Sequence, residues 1–117
     1  IDFSAQGYSN AQDINSFKGS VVTITFDKGS NRNNPKYYTT GTAVRVYGGN
    51  TFTVSATGKT IKSIAMTFSS GEGTNAISSD TGSYSDGNWT GSASSVTFTV
   101  EGTSGHRRLK TIAVTFN

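Results

Sequence analysis

Arginine and tyrosine stand two residues apart in one segment, and two arginines are adjacent near the end of the chain. Arg45 and Tyr47 share one face of the extended run around Val44 and Val46, because side chains alternate along a strand. His106-Arg107-Arg108 is the densest charge in the sequence. A guanidinium binds carboxylate, sulfate or phosphate, and a tyrosine ring covers the apolar C–H face of a sugar. These residues predict recognition of a glycan or an anion.

Two further aromatic side chains stand among hydrogen-bonding neighbours. Tyr37 follows an asparagine-rich loop, and Trp89 follows a glycine turn. An exposed ring beside amides and cations suits sugar binding, since polar groups then read the hydroxyls. We predict a binding site drawn from Asn34, Lys36, Tyr37, Arg45, Tyr47, Trp89, His106, Arg107 and Arg108. The alternatives are that Tyr38 and Trp89 close the ends of the sandwich and that the arginines pair internally, for example with Asp80 or Glu101.

Catalytic chemistry finds little support in the residue types. The chain has no cysteine and one histidine, which excludes thiol catalysis, disulfides, and cysteine-based or histidine-rich zinc sites. It lacks a Gly-x-Ser-x-Gly motif, and its two glutamates, Glu72 and Glu101, are a weak candidate for the opposed carboxylates of a glycosidase. We therefore expect no enzyme activity.

A metal site has one candidate set. Asp80, Asp86 and Asn88 offer oxygen atoms within one turn-rich region, and oxygen ligands suit calcium. Their spacing matches no defined calcium loop. We therefore predict no cofactor and no metal, with a structural calcium ion as the alternative.

The elements that position these residues are predicted to be β-strands. Apolar side chains alternate with threonine or small residues in Val22–Phe26, Val44–Val46, Phe52–Val54, Ile64–Phe68, Val96–Val100 and Ile112–Phe116. The apolar face of each strand must be buried against a second sheet. We predict an all-β, single-domain, jelly-roll-like antiparallel β-sandwich of about eight or nine strands over residues 1–117. Its core phenylalanines are Phe26, Phe52, Phe68, Phe98 and Phe116.

Glycine turns and an internal repeat organise the strands. Gly48-Gly49-Asn50, Thr57-Gly58-Lys59 and Asp86-Gly87-Asn88 each predict a tight hairpin. Thr51–Phe68 resembles Thr97–Phe116 once two extra residues are allowed in the second copy. The repeat predicts equivalent hairpins in pseudo-symmetric halves of the sandwich. The insertion at Gly105-His106 breaks this symmetry, and we expect function near it.

Length and composition limit the remaining possibilities. A chain of 117 residues fits one domain, and no apolar run is long enough for a membrane span. Only 15% of the residues are charged, and the abundance of serine, threonine, asparagine and glycine is typical of secreted proteins. The net charge is +3, but residues 28–62 contain six cations and no acid. Because the chain begins with Ile1, we expect a module excised from a larger protein.

Short motifs distributed over nearly the whole chain form a characteristic set: Asp2-Phe3, Gln6–Asn10, Val22–Gly29, Pro35–Tyr38, Gly41–Tyr47, Trp89–Gly91 and Thr103–Arg108. Together they resemble small β-sandwich accessory modules of secreted and surface proteins of gut Bacteroidetes-like bacteria. The resemblance implies a secreted or cell-surface location and a carbohydrate-binding module that targets an appended polysaccharide-degrading enzyme. It assigns no binding residues.

Three functions from different classes are compatible with these residues. One is a non-catalytic module that binds a polysaccharide, either neutral or acidic. Another is a polyanion-binding module, favoured by the acid-free basic segment, although nucleic acid is the less expected partner. The last is a structural or adhesin spacer without a ligand. Affinity for a polyanion falls steeply with salt, whereas neutral-glycan binding does not, and a spacer binds no glycan.

Overall fold

Alternation of apolar side chains with threonine produces two antiparallel sheets. The computed structural model describes residues 1–70 and 73–117, with a 3-10 turn at Phe3–Ala5. Its strands are β1 (Gln12–Asp13), β2 (Ser16–Lys18), β3 (Val22–Asp27), β4 (Lys36–Tyr38), β5 (Ala43–Tyr47), β6 (Thr51–Ala56), β7 (Ile61–Phe68), β8 (Ile77–Ser79), β9 (Ser83–Ser85), β10 (Asn88–Ala93), β11 (Ser95–Val100) and β12 (His106–Phe116).

The two sheets pack face to face as a sandwich. The seven-stranded sheet has the order β1-β4-β5-β12-β7-β10-β9, and the five-stranded sheet has the order β2-β3-β6-β11-β8. The all-β antiparallel sandwich is therefore confirmed. The expected strand count was too low, because the short strands β1, β2, β8 and β9 lack a long alternating pattern. Among the described residues, no helix has both the length and the apolar surface to cross a bilayer.

The core lies between the sheets and follows the alternation in the sequence. Phe26, Phe52 and Phe98 are buried, as predicted. The rings of Phe52 and Phe98 stack with their centroids 5.1 Å apart. Phe68 and Phe116 are only partly buried and pack against the edge of the core. The prediction of core phenylalanines is thus confirmed for the five-stranded sheet. At the ends of β7 and β12 it is only partly met, because Phe68 and Phe116 keep some exposure.

Two of the three predicted hairpins are corners between the sheets. The Gly48-Gly49-Asn50 segment joins β5 to β6, and the 57–60 segment joins β6 to β7, but each pair of strands lies in opposite sheets. A short glycine segment suits either connection, and the choice depends on which sheet buries the next apolar face. The turn at Asp86-Gly87 is a true hairpin between β9 and β10, with φ of 47° and 87° at its two central residues.

The internal repeat forms a pseudo-two-fold arrangement across both sheets. Each copy contributes one strand to each sheet, β6 with β7 and β11 with β12, so each copy spans the core and is not a hairpin. In the five-stranded sheet Phe52 pairs with its repeat equivalent Phe98, and in the seven-stranded sheet Ala65 pairs with its equivalent Ala113. The central strand pairs of both sheets are therefore related by the same pseudo-symmetry.

Candidate functional site

Aromatic and cationic side chains share the outer face of three neighbouring strands. The register pairs Lys36 of β4 with Arg45 of β5, and Arg45 with Arg108 of β12. Tyr47 pairs with His106 one row further along. We call this surface the cationic patch, and its residues are Lys36, Tyr38, Arg45, Tyr47, His106 and Arg108, all partly exposed. The predicted juxtaposition of Arg45 and Tyr47 is confirmed.

Tyr38 orders the centre of the cationic patch. The guanidinium carbon of Arg45 lies 4.1 Å from the centroid of the Tyr38 ring, which is a cation–π contact. The Tyr47 hydroxyl donates a long hydrogen bond of 3.4 Å to the Tyr38 hydroxyl. Partial burial, together with this hydrogen bond, raises the pKa of Tyr47 to about 12. Tyr47 is therefore a neutral ring in the physiological range.

His106 and Arg108 form the other side of the cationic patch. The Nε of Arg108 donates to the Nε2 of His106 at 3.4 Å. The His106 ring contacts the Tyr47 ring edge-on, with centroids 6.0 Å apart. The patch is consequently a continuous chain of contacts from β4 to β12.

Arg107 lies on the opposite side of β12 from Arg108. It pairs in register with the buried Val46, its guanidinium carbon is 3.9 Å from the centroid of the Phe68 ring, and its Nη1 donates to the Asn75 carbonyl at 2.9 Å. The sequence left open which of the two arginines faces outward. The structure places Arg108 in the cationic patch and gives Arg107 internal contacts.

A polar cleft continues from Tyr47 at the end of the sandwich. Its volume is about 520 Å³, and its walls carry amides, hydroxyls and one guanidinium: Ser30, Asn31, Arg32, Asn33, Tyr47, Gly48, Thr103, Ser104 and Gly105. We call it the corner cleft. A second cleft of about 540 Å³ shares Arg32 and Asn33 with the corner cleft. In it, Lys28, Arg32 and Lys36 face Asp13 and Asp27. Of the two, only the corner cleft shares an aromatic residue with the patch.

Asn50 holds one wall of the corner cleft. Its side chain is completely buried, and its Oδ1 accepts from the Tyr47 backbone N–H at 2.7 Å. Its Nδ2 donates to the carbonyls of Lys28 and Asn33 at 2.8 and 2.9 Å. These bonds fasten the loop that carries Asn31 and Arg32 to the corner after β5. A buried amide with its hydrogen bonds satisfied fixes such a loop firmly.

Asn75 and two glycines hold the opposite wall. Asn75 Nδ2 donates to the carbonyls of Glu101 and Ser104 at 2.9 and 2.6 Å. The Gly48 N–H donates to the Gly105 carbonyl at 3.0 Å. Gly105 has a φ of 76°, and a Cβ on it would lie 2.3 Å from Asn75 Oδ1. This close approach requires glycine. Gly105, which belongs to the predicted insertion, lines the cleft.

Tyr37 and Trp89 are core residues, and the prediction that they offer exposed rings is wrong. Tyr37 is 5% exposed and pairs in register with the buried Val44, on the inner face of β4. Trp89 is 0% exposed, and its Nε1 donates to the Thr81 carbonyl at 2.6 Å. Each ring buries a large apolar area that the sandwich needs, which is the alternative we had stated for Trp89.

Asn34 and Lys36 have internal partners. Asn34 Nδ2 donates to the carbonyls of Ile14 and Pro35 at 3.3 and 3.1 Å, which ties its loop to the segment between β1 and β2. Lys36 forms an ion pair with Asp13. Lys36 stays within the cationic patch, whereas Asn34 lines the second cleft and not the corner cleft.

The candidate catalytic and metal-binding residues in the described part of the chain make local contacts. Glu101 accepts a hydrogen bond from the Ser78 hydroxyl, and Glu72 lies outside the described residues. Asp80 accepts from the Thr97 N–H at 2.9 Å, and Asp86 occupies the β9–β10 turn. Over residues 1–70 and 73–117, no group of three or more histidine, aspartate or glutamate side chains is placed to hold a metal ion.

Tyr38 and Asn50 are two of the site residues that the sequence analysis missed. A signal for Tyr38 was present, because Lys36 and Tyr38 alternate with Tyr37 and must share a face. Asn50 stood in a segment assigned to a hairpin turn, where asparagine is ordinary. Only the corner geometry shows that its side chain points inward.

Comparison with known proteins gives no relative. No protein-family model, curated protein or solved structure matches this chain.

Proposed function

We propose that the protein is a non-catalytic carbohydrate-binding module whose site is the cationic patch together with the corner cleft. The observation that carries the proposal is the position of Tyr47. Its ring stands between Tyr38 and His106 on the patch and also forms a wall of the corner cleft. One residue thus connects an aromatic, cationic surface with a cleft lined by amides and hydroxyls.

This arrangement suits a sugar chain in both size and chemistry. Ligand sites commonly measure about 300–1,000 Å³, and the corner cleft lies within that range at about 520 Å³. The neutral Tyr47 ring offers an apolar surface to the C–H face of one sugar. Asn31, Arg32 and Ser104 offer donors and acceptors to hydroxyl groups.

The carboxylates that the structure describes beside the proposed site, over residues 1–70 and 73–117, are engaged in internal contacts. Asp13 forms an ion pair with Lys36, and Asp27 Oδ1 accepts from the Gly29 N–H at 2.8 Å. Glu101 bonds Ser78. Hydrolysis of a glycosidic bond needs one carboxyl as acid and a second as nucleophile or base. These contacts support a binding role.

The proposal includes the biological context implied by the resemblance. The ligand is a polysaccharide, the module is secreted or displayed at the cell surface, and it is attached to an enzyme that acts on the polysaccharide. The low charge content and the many serine, threonine, asparagine and glycine residues support this context.

A polysaccharide array with neutral and acidic polymers tests the proposal, followed by titration calorimetry on the polymers that bind. We expect Tyr47→Ala to weaken binding at least several-fold, and Tyr47→Phe to retain most of it because the ring remains. Lys62→Ala, at an exposed position elsewhere on the seven-stranded sheet, is the control and should bind normally. Binding of no polymer by the folded protein would support the spacer function instead.

A polyanion-binding function is the second candidate, favoured by the row Lys36–Arg45–Arg108. A single-stranded oligonucleotide tests it directly. Binding to DNA that is tighter than binding to any polysaccharide, with a steep loss in salt, would favour this function over the glycan.

A further inference from the structure

Arg45 and Arg108 are direct cross-strand neighbours on the outer face of the sheet. They pair in register between β5 and β12, and Lys36 pairs with Arg45 on the other side. Paired residues on adjacent strands have Cα atoms about 4.5–5.5 Å apart. Three cationic positions are thus aligned across three strands.

The positive charges of the two arginines are not neutralised within the described chain. Over residues 1–70 and 73–117, the only ion pair joins Lys36 to Asp13. Lys36 is thereby compensated, whereas no described carboxylate reaches Arg45 or Arg108. Like charges directly opposite each other destabilise a sheet.

Neighbouring aromatic groups hold both guanidinium groups in place. Arg45 stacks on Tyr38 at 4.1 Å, and its Nε is buried without a hydrogen-bond partner. Arg108 donates through its Nε to His106 at 3.4 Å. A guanidinium that is already positioned loses less entropy when it binds an anion. The terminal nitrogens of both groups are the donors suited to a carboxylate or sulfate.

We infer that Arg45 and Arg108 form an anion-binding pair that receives a carboxylate or sulfate of an acidic polysaccharide. The inference rests on the proposed function and adds the chemical class of the ligand. An anion that bridges the pair removes the repulsion between the two strands. The same chain places a neighbouring sugar on Tyr47 and in the corner cleft.

The extent of the cationic row favours a glycan over a nucleic acid. Three strands at a spacing of about 4.8 Å give a row of about 10 Å. Nucleic-acid grooves follow the phosphate backbone over several nucleotides and stack bases on exposed rings. Here one face of Tyr38 is covered by Arg45, and the adjoining cleft is lined by amides and hydroxyls.

Matched polymers provide the first test. Polygalacturonate is compared with its methyl-esterified form, and dextran sulfate with dextran, so that only the charge differs within each pair. We expect at least about tenfold tighter binding to one acidic polymer, by analogy with charge-assisted hydrogen bonds. The preferred acidic polymer distinguishes carboxylate from sulfate. The difference in affinity between the acidic polymer and its neutral partner should decrease between about 0.05 and 0.5 M salt, as screening increases.

Charge-neutralising variants provide the second test. Arg45→Gln and Arg108→Gln should each weaken binding to the preferred acidic polymer by about tenfold or more. Binding by the control Lys62→Gln, which removes an equal charge from an exposed position on β7, should change by less than about twofold. Equal effects of all three variants would mean that binding depends on the overall positive charge and not on Arg45 and Arg108 in particular. This result would overturn the paired site.

Thermal unfolding provides a readout that needs no ligand. Without polymer and at low salt, Arg108→Gln should raise the melting temperature, because it removes the repulsion from Arg45. Wild type should be stabilised by the preferred acidic polymer, and the Arg45→Gln/Arg108→Gln protein should not. A melting temperature lowered by Arg108→Gln at low salt would show that the pair is compensated internally, and this result would contradict the inference.

The outcomes separate the two proposals. Equal binding of an acidic polymer and its neutral partner overturns the anion-binding pair and leaves the carbohydrate-binding function in place. Binding of none of the polymers overturns both. An oligothymidylate that binds more tightly than every polymer assigns the arginine pair to nucleic acid and overturns the acidic glycan.

Discussion

The two copies of the internal repeat contain equivalent corners, but only the second corner forms a wall of the proposed site. Both corners are exposed. The first, residues 57–60, is bonded to the rest of the chain through the backbone of Thr57 and Thr60 at its two ends, and a Cβ on Gly58 at its tip would have nothing within 4 Å. The second corner, residues 101–105, is fastened by Asn75 and contacts Gly48. Similar sequence therefore produced one corner whose tip is free and one that is fixed as a wall of the cleft.

The comparison separates what the repeat does for stability from what it does for binding. The strands of both copies meet at Phe52 with Phe98 and at Ala65 with Ala113, so the two copies share the centre of the core. Only the second corner has the extra residues and the nearby asparagine that form a cleft. We conclude that the symmetric part of the repeat stabilises the fold and that its asymmetric part contributes one wall of the candidate site.

The largest expected effect tests the symmetry of the core. Phe52→Ala and Phe98→Ala should each reduce the free energy of unfolding by about 3–5 kcal/mol, because each removes a buried ring and leaves a cavity. Urea unfolding measures both. Since the rings stack on each other, the double variant should lose less than the sum of the single losses. A loss below about 1 kcal/mol at either position would contradict equivalent roles in the core.

Alanine at the two corner glycines tests their asymmetry. Gly58 and Gly105 both have positive φ, 69° and 76°, so alanine at either should cost about 1–2 kcal/mol from the backbone alone. Gly105→Ala also places its Cβ 2.3 Å from Asn75 Oδ1 and should cost at least about 1 kcal/mol more. Urea unfolding measures the difference. Equal losses at both positions would mean that the second corner is as free as the first.

High pH should weaken the fold through Tyr47. Its pKa is raised from the ordinary value of 10.0 to about 12, so the folded state holds the phenolic proton more tightly than the unfolded state. This contribution is fully present below pH 10.0 and is lost as the pH rises to about 12. Urea unfolding measured across that range should show declining stability. Tyr47→Phe should show a smaller decline, and the residual decline belongs to the other tyrosines with raised pKa, Tyr8 and Tyr84.

The smallest effect is expected at the free corner. Lys59 is exposed, and its Nζ makes a distant contact with the Phe116 ring, 5.9 Å from the centroid. Lys59→Ala should change the free energy of unfolding by less than about 0.5 kcal/mol and leave binding to any polysaccharide unchanged. If the affinity for a polysaccharide fell several-fold in this variant, a ligand would contact the first corner, and the contrast between the two corners would fail.

The alternation of side chains along each strand predicted much of the fold and part of the site. Alternation identified the long strands, and it placed Arg45 and Tyr47 together on the outer face of β5. The same rule, applied to Lys36, Tyr37 and Tyr38, would have assigned Tyr37 to the core, since neighbouring residues point to opposite faces. Sequence reasoning treated Tyr37 as a loop residue because asparagines and a proline precede it.

The alternation of side chains could not predict which strands become neighbours. Glycine segments of similar length join β5 to β6 across the sandwich and β9 to β10 within one sheet. The local turn preferences are alike, so the difference depends on long-range pairing. The position of β12 between β5 and β7 brings Arg108 beside Arg45, although 62 residues separate them in the printed sequence.

The sequence alone determined the all-β class, the two-faced strands and the repeat, because alternation and turn residues act over a few neighbouring positions. The tertiary structure decided which sheet each strand joined, that Trp89 and Tyr37 were buried, and that Asn50 and Asn75 held the walls of a cleft in place. The reason is physical: burial and cross-strand neighbours depend on contacts between residues far apart in the chain, and only the packed sandwich brings those residues together.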